Sequence, residues 1–461
     1  MSTGCEEDGP MSGGDRRKTT LAFRSAVSEL FLFQSRDRAR MPSFLFGAAP
    51  YNQHAQQIAR ALHEMDALGL YRSLGVDHYR RSCVHRVRAT VGEVLPSLDR
   101  LLQRRCVDAV PDNLVHGDWM WELLRTLAAR LGWSAVADWL WERSEWKLDR
   151  DLAHLIQHSR FDAFFGVEHG CLHALGAAAE VGKPSVLTFM SPHHSALSTW
   201  VHPEYGRFPE LRSPAQQTIL DREPRRYRRK DAEARRADFI HTNSEFSKRT
   251  LVDAGFDADK IHVSPLGCPK PTTEDPAAHC TPSSDPVRFL YAGNLSVQKG
   301  AHYLIDAWSS LDVSSARAEL HCYGRFLLPD TYRQRVPPSM KLHGSVPQQD
   351  LFDAFKKGSA LALPTLLDGF GMVVTEALAH GLPVITTPNA GAADLIEEGR
   401  NGFLAPPADP EALADRLDWC CRHPDVLAEM RVAAVETARN WQWSDFRTRL
   451  QHQLRDHLPI T

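Results

Sequence analysis

Residues 367–404 read LDGFGMVVTEALAHGLPVITTPNAGAADLIEEGRNGFL, and this stretch decides the fold of the chain. It predicts an acidic, glycine-rich loop, a helix, a buried strand, a second glycine-bearing loop and a strand-like finish. Gly369 and Gly371 lack a Cβ, so the backbone there can approach a ligand closely. The predicted helix Met372–His380 points its N-terminus back at this loop, and Gly381 is placed to end it.

Phosphate and hydroxyl recognition are both expected at this loop. A helix N-terminus offers unpaired N–H groups and the positive end of a dipole, which suits a phosphate. Asp368 and Glu376 bracket the loop with carboxylates, which accept hydrogen bonds from hydroxyl groups. The pattern therefore favours a ligand with phosphates and a sugar, such as a nucleotide sugar.

The stretch resembles the acidic motif of the retaining glycosyltransferases of family 4, which have the two-domain GT-B fold. Their usual form is Glu-Gly-Phe-Gly followed by a second Glu, with seven residues between the acids. Asp368 and Glu376 have that spacing, and the first acid is one methylene shorter. The resemblance implies that Asp368 holds the sugar hydroxyls of the donor and Glu376 those of its ribose. It also implies that Gly369, Phe370, Gly371, Met372 and Val373 bind the donor.

A second motif lies in FLYAGNLSVQKG, residues 289–300. A strand is predicted to end at Gly293, and Lys299 opens a helix from which its charge can stabilise a departing diphosphate. The family usually carries an arginine after that glycine; here Asn294 donates hydrogen bonds without a charge. Lys299 is therefore expected to be catalytic, with Gly293 and Asn294 beside it. The alternative is a solvated lysine at a helix start.

Candidates in the first half come from loops that follow predicted strands. In Ser191-Pro-His-His-Ser195, the resemblance implies that His193 is catalytic and orients the transferred sugar, with His194 second. The alternative is ordinary loop histidines, in a chain with 22 of them. The predicted acceptor-side residues are His194, Glu168 and Asn52. Ser244 is predicted to cap a helix.

Composition bounds the class of protein. The chain has 461 residues, 43% of them hydrophobic and 24% charged, as expected for two or three globular domains. A net charge of −3 gives no field that would recruit nucleic acid. Nine cysteines without a CxxC pair favour a reducing cytoplasm. No metal site or cofactor is expected, because neither a DxD at a strand end nor a His/Cys ligand spacing occurs.

The predicted domains follow from strands that alternate with helices, which indicates an α/β fold with parallel sheets. Residues 1–40 read as a disordered tail and 269–286 as a linker rich in Pro, Ser, Thr and Asp. The two Rossmann-like domains are expected at 41–268 for the acceptor and 287–440 for the nucleotide sugar. The resemblance implies that 441–461 forms a helix crossing back to the first domain.

Two segments keep open alternatives. The stretch 95–150 is predicted to be helical and is rich in tryptophan, which indicates either core packing or a lipid- or acceptor-facing surface. The basic run Arg222–Lys230 is either a solvated helix face or a contact with an anionic acceptor or bilayer, and the latter would allow peripheral membrane association. Gln53–Leu68 is predicted to be one helix.

The function expected from the resemblance is retaining transfer of a sugar from a nucleotide diphosphate sugar to a glycan, lipid-linked or small-molecule acceptor. The alternatives are a nucleotide-sugar epimerase or a phosphorylase of the same fold, or a non-catalytic nucleotide-sugar-binding protein. Asn294 and Asp368, which depart from the family pattern, are the reason for the last one. The donor base, the sugar, the acceptor and the oligomeric state are left open.

Overall fold

The computed structural model describes residues 42–49, 52–74, 110–212, 214–276, 286–311 and 318–458. The predicted tail 1–40 and half of the predicted linker 269–286, residues 277–285, lie outside the described residues, so both stay predictions. No helix among the described residues is both long and apolar enough to cross a bilayer.

The first half of the chain builds a seven-stranded parallel sheet in the order β3-β2-β1-β4-β5-β6-β7. The strands are β1 Phe44–Ala48, β2 Leu68–Ser73, β3 Val115–Gly117, β4 Ala163–Val167, β5 Ser185–Phe189, β6 Phe239–Thr242 and β7 Ile261–Val263. The central strands β1, β4, β5 and β6 are buried along their whole length, because helices cover both faces of a parallel sheet.

The helices of this half alternate with the strands. They are α1 Gln53–Glu64, α2 Trp119–Arg130, α3 Ser134–His158, α4 Leu172–Glu180, α5 Ser195–Trp200, α6 Glu204–Arg207, α7 Pro214–Arg236 and α8 Glu245–Asp253. The Ser244 side chain accepts a hydrogen bond from the Ser247 N–H at the start of α8, so the predicted helix cap is confirmed.

The second half builds a six-stranded parallel sheet in the order β10-β9-β8-β11-β12-β13. Its strands are β8 Val287–Ala292, β9 Ala318–Tyr323, β10 Met340–Gly344, β11 Ala360–Leu363, β12 Val384–Thr386 and β13 Gly402–Leu404. Its helices are α9 Ala301–Ser310, α10 Asp330–Arg333, α11 Gln348–Lys357, α12 Met372–Ala379, α13 Pro410–Arg422, α14 Pro424–Asn440 and α15 Trp443–His457.

Both sheets reverse their strand order at one point, between β1 and β4 in the first and between β8 and β11 in the second. The loops that follow these strands diverge and leave a crevice at the carboxyl edge of each sheet, which is where such folds bind ligands. The Gly369 segment after β11 lies against the loop after β5: a Cβ on Gly369 would be 2.6 Å from the Met190 carbonyl oxygen. The two crevices therefore face each other.

The last helix returns to the first sheet, as predicted. On α15, Arg447 donates hydrogen bonds to Glu64 and Gln57 of α1, at 2.8 and 2.7 Å. The chain leaves the first half near Cys268 and returns to it near Trp441. These two crossing points are adjacent, because the Cys268 N–H donates to the Trp441 carbonyl oxygen at 2.9 Å.

Two predicted elements need correction. The helix predicted over Gln53–Leu68 ends at Glu64, because Asp66 turns the chain with a φ of 56° and β2 begins at Leu68. In the described part of 95–150, a 3-10 helix at Asp112–Leu114 and the short strand β3 come first. Two helices follow, and Gly132 separates them with a φ of +77°.

The tryptophans of this region do not form one packed core. Trp133 and Trp139 are 59% and 52% exposed, and exposed leucines at 124, 127 and 131 accompany them. Trp121 packs partly buried against a small cluster made by Ala128, Ala137 and Leu140. The core-packing interpretation is therefore wrong for the outer face of the α2–α3 hairpin.

Candidate functional site

A cavity of about 380 Å³ lies between the two sheets, where the carboxyl ends of their strands meet. Its wall includes Gly293, Lys299, Asp368, Phe370, Gly371, Met372 and Val373 from the second half. From the first half it includes Asn52, Gln53, His54, Met190, Asn243 and Leu266. The structure therefore brings together most of the residues predicted to bind the donor.

Backbone hydrogen bonds join the acidic loop at Asp368 to the second glycine-bearing loop at Asn389 and Gly391. The Asp368 N–H donates to the Asn389 carbonyl oxygen at 3.0 Å, and the Gly391 N–H returns a bond to the Asp368 carbonyl oxygen at 3.1 Å. Gly371 has a left-handed φ of 80° and lies directly before α12, and no side chain caps the first turn by a hydrogen bond. Met372 and Val373 of that turn line the cavity, and the N–H groups at a helix start have no partner within the helix.

Lys299 and Asp368 form an ion pair at the edge of the cavity. Both side chains are partly exposed, at 26% and 17%, so the lysine charge is within reach of a ligand. Gly300 follows with a φ of 67°, and a Cβ there would lie 1.8 Å from the Pro364 carbonyl oxygen. Only glycine lets the Lys299 loop approach the strand that leads to Asp368 so closely.

Asn294 and Glu376, both predicted to bind the donor, are not part of the cavity wall. Asn294 accepts a hydrogen bond at its backbone carbonyl from the Tyr291 hydroxyl at 2.8 Å. Glu376 accepts one from the Gln348 side chain at 3.3 Å, and burial raises the pKa of its carboxyl group. Their predicted roles stay predictions.

The first half contributes residues that the sequence did not single out. Met190 follows β5 and Asn243 follows β6, and the Asn243 side chain donates to the Met190 carbonyl oxygen at 3.0 Å. Asn52 caps α1 through the Ala55 N–H at 2.9 Å, so the predicted acceptor-side asparagine has a structural role as well. Burial lowers the pKa of His54 to about 3, which keeps the ring neutral. The position of Met190 and Asn243 directly after predicted strands is the sequence signal that could have identified them.

His193 is not in this cavity, although it was predicted to lie beside the transferred sugar. It is 4% exposed, its Nε2 lies 3.0 Å from Asp231 Oδ1, and its Nδ1 lies 2.8 Å from Ser195 Oγ. His194 Nε2 lies 2.8 Å from the same Asp231 oxygen. From the loop after β5, Met190 reaches the cavity instead.

The same three residues form a group that sequence spacing did not reveal. One ligand atom each from His193, His194 and Asp231 lie within 4.8 Å of one another, as residues that hold a metal ion would. Asp231 is on α7 and the histidines precede α5, so no local motif connects them. Hydrogen bonds within the group already satisfy these atoms.

Glu168, predicted on the acceptor side, is buried and fully bonded. Its carboxylate forms an ion pair with Lys230 Nζ at 2.6 Å and accepts from the Met190 and Ser191 N–H groups at 3.0 and 3.1 Å. Burial raises the pKa of Glu168, but the Lys230 charge and the other contacts outweigh it and leave the pKa lowered. Glu168 therefore positions the loop that carries Met190.

Two facing Rossmann-like sheets with a cavity between their carboxyl edges, tied by a returning last helix, define the GT-B class of fold. Solved structures share it. HepE from Anabaena, in complex with UDP and glucose, is 17% identical with a TM-score of 0.55, over 90% of this chain and 100% of that one. Sucrose-phosphate synthase from Thermosynechococcus elongatus is 15% identical with a TM-score of 0.57, over 90% and 98%.

Residues 286–423 match the family model described as glycosyl transferases group 1. D-inositol 3-phosphate glycosyltransferase of Streptomyces scabiei is 37% identical over 119 residues, 26% of this chain and 25% of that protein. Sucrose-phosphate synthase 4 of Arabidopsis thaliana is 31% identical over 116 residues, 25% of this chain and 11% of that protein. The match thus spans a quarter or less of these two relatives. The resemblance to group 1 glycosyltransferases is confirmed, and it is carried by the second half.

Proposed function

We propose that this protein is a retaining, metal-independent glycosyltransferase that takes a sugar from a nucleoside diphosphate sugar. Its second half carries the group 1 domain, and solved proteins of the same fold bind UDP or UDP-glucose. The acceptor would be a glycan, lipid-linked or small molecule bound by the first half.

One observation carries the proposal: the Lys299–Asp368 ion pair and the first turn of α12 line the same cavity. A diphosphate placed there meets a positive charge and free N–H groups, which stabilise the negative charge that develops as the sugar–phosphate bond breaks. Asp368 would then turn from Lys299 to the sugar hydroxyls. Same-face attack by the acceptor, with the leaving phosphate taking its proton, needs no protein nucleophile.

The test has a binding arm and a turnover arm. In the binding arm, UDP-, GDP-, ADP- and TDP-sugars are screened by thermal shift, because a ligand of the native state raises its apparent stability. In the turnover arm, release of the nucleoside diphosphate is measured for wild type, Lys299→Ala and Lys341→Ala. Lys341 is 45% exposed and pairs with Glu319 on the outer part of the second sheet, so it is a matched control.

We expect Lys299→Ala to lower turnover by about 10²–10³-fold, as the loss of a group that stabilises developing charge does. Lys341→Ala should match wild type. Equal turnover in Lys299→Ala, with an unchanged melting temperature, would contradict the proposed role. Binding of a nucleotide sugar without any turnover would instead favour the non-catalytic alternative.

A further inference from the structure

A second cavity, of about 580 Å³, lies in the first half between helices α3 and α7 and the loop after β4. We call it the α3–α7 cavity. The residues that matter below are Trp139, Glu145, Trp146, His169, Arg225 and Arg226. Its size lies within the range of about 300–1,000 Å³ that small-molecule sites occupy.

The α3–α7 cavity lies close to the donor cavity. A smaller space of about 160 Å³ shares Glu145, His169 and Arg226 with the α3–α7 cavity, and its wall also includes Met190. Met190 in turn lines the donor cavity. One end of a molecule in the larger space would therefore lie near Met190, on the side of the first half that faces the donor cavity.

Glu145 stands at the junction of the two spaces without a hydrogen-bond partner among the described residues. It is 8% exposed, and the charges that act on it most are those of Arg229 and Arg226. Burial raises the pKa of Glu145 to about 8, against the effect of both arginines. A buried carboxyl group without a partner is costly, so its position indicates a ligand that supplies one.

His169 reaches both spaces from a strained backbone position. Its φ is 79°, in the left-handed region that non-glycine residues seldom adopt. The Glu233 carboxylate holds this turn by accepting from the His169 N–H at 2.7 Å and the Cys171 N–H at 3.1 Å. Arg229 anchors Glu233 at 3.2 Å. Such maintained strain is common at binding sites.

The chemistry of the walls suits a molecule rich in hydroxyl groups. Three acids, Asp138, Glu142 and Glu145, line the cavity together with Arg225, Arg226 and Arg229, and the raised pKa of Glu145 keeps its carboxyl group protonated at neutral pH. Carboxyl groups accept and guanidinium groups donate, so adjacent hydroxyls of a sugar find both kinds of partner. Trp139, 52% exposed, offers a flat apolar face on which the C–H side of a sugar ring can pack.

We propose that the α3–α7 cavity binds the acceptor and that the acceptor is a saccharide. Glu145 and His169 would bond the hydroxyls of its terminal residue near Met190, and Trp139 would support the following residue. This inference rests on the proposed function, since it names the substrate class of the first half.

The test uses the full chain, labelled with a fluorophore, on an array of immobilised mono- and oligosaccharides. The variants are Glu145→Ala, Trp139→Ala and Trp133→Ala. Trp133 is on the same hairpin and is 59% exposed, but does not line the cavity, so it is the matched control. A thermal shift with UDP is measured on every variant to report separately on the donor site and the fold.

We expect saturable binding of wild type and Trp133→Ala to the same saccharides, and binding at least about tenfold weaker in Glu145→Ala and Trp139→Ala. The UDP shift should be the same in all of them. Saccharide binding that survives both cavity variants, or no saturable binding of wild type to any saccharide, would overturn the inference. The absence of a thermal shift of wild type with any UDP-, GDP-, ADP- or TDP-sugar would instead count against the proposed function, and the saccharide result does not depend on that outcome.

Discussion

Gly371 shows how one residue type serves both the backbone and the site. Its φ of 80° is strained for any residue with a Cβ, and a Cβ there would lie 3.3 Å from Asp368 Oδ2. Gly255 has a similar φ of 89° with open space around it, in a turn that follows α8. The pair therefore separates the cost of the backbone conformation from an effect on the candidate site.

We expect Gly371→Ala and Gly255→Ala each to lower the free energy of unfolding by about 1–2 kcal/mol, the usual cost of the left-handed conformation. Only Gly371→Ala should also weaken UDP binding, because it disturbs Asp368 and the first turn of α12. Urea unfolding and calorimetric titration measure the two effects. Equal UDP affinity in both variants would show that the turn does not contact the ligand.

A second residue-scale prediction concerns Glu145, whose pKa is raised by burial to about 8 from 4.5. Between these values the native state keeps a proton that the unfolded state has lost, so this group makes stability fall as pH rises from about 4.5 to 8. Glu145→Gln removes that dependence. We expect the melting temperature of Glu145→Gln to rise relative to that of wild type between pH 5 and 8. Above pH 8 the difference between the two melting temperatures should stay constant.

The difference in the free energy of unfolding between wild type and Glu145→Gln should change by up to about 1.4 kcal/mol for each unit by which burial raises the pKa of Glu145. Glu233, whose pKa burial raises to about 7, remains in the variant and titrates in the same range. Because the charge of Glu233 also raises the pKa of Glu145, the difference reports the loss of Glu145 from a coupled pair. A melting-temperature difference that is constant from pH 5 to 8 would contradict the raised pKa.

At the scale of elements, α7 and the loop after β5 depend on each other through the buried Lys230–Glu168 pair. Both side chains are 6% exposed. We expect Lys230→Met to lower the free energy of unfolding by about 3–5 kcal/mol, because it leaves Glu168 as a buried, unpaired charge. Since Glu168 bonds the Met190 and Ser191 N–H groups, the variant should also bind UDP more weakly.

The double variant Lys230→Met/Glu168→Gln is the informative control, because it removes the unpaired charge. Chemical denaturation should show that it recovers more than half of the stability lost in Lys230→Met. If it is as unstable as the single variant, packing of the lysine stem outweighs the charge, and the positioning role of the pair is not supported.

The sequence predicted elements well where strands are buried and bounded by turn residues, as in β1, β4, β5 and β8. It missed β2 because LGLYRS is short and contains Gly69, which usually weakens a strand. The structure shows why glycine is there: a Cβ would lie 2.3 Å from Ser43 Oγ and 2.8 Å from the Phe161 ring. That crowding comes from residues distant in sequence, so no local pattern reveals it.

The same reasoning applies to the candidate site. The Lys299 and Asp368 loops were predictable because each combines glycines, a strand end and a helix start within a few residues. The position of His193 outside the donor cavity could not be predicted, because the direction in which its side chain points depends on Asp231, on a different helix. Met190 was not predicted as a site residue, because an apolar side chain next to a buried strand is usually interpreted as part of the hydrophobic core.

At the scale of the whole molecule, α15 connects the end of the chain to α1. Arg447 is 11% exposed and bonds Glu64 and Gln57. We expect Arg447→Ala to lower the free energy of unfolding by about 1–2 kcal/mol, the range of partly buried hydrogen bonds to charged groups. Arg455, exposed near the end of the same helix, is the control and should change it by less than about 0.5 kcal/mol.

Urea unfolding of the full chain measures both variants. Equal effects of Arg447→Ala and Arg455→Ala would mean that α15 is held by its buried Phe446, Leu450 and Leu454 rather than by this arginine. The melting curve of Arg447→Ala should stay a single transition, because those apolar contacts remain.

The contact between Cys268 and Trp441 has a mechanical consequence. The chain passes between the two sheets there in both directions, and a Cβ on Gly267 would lie 2.2 Å from the Trp443 backbone nitrogen. Two crossings so close together are the place where a rotation of one half against the other would need the least change of the backbone. The donor cavity lies at the opposing edges of the sheets, so such a rotation would change its width. A residue larger than glycine at 267 would separate the two crossings and would thereby alter the spacing of the cavity walls.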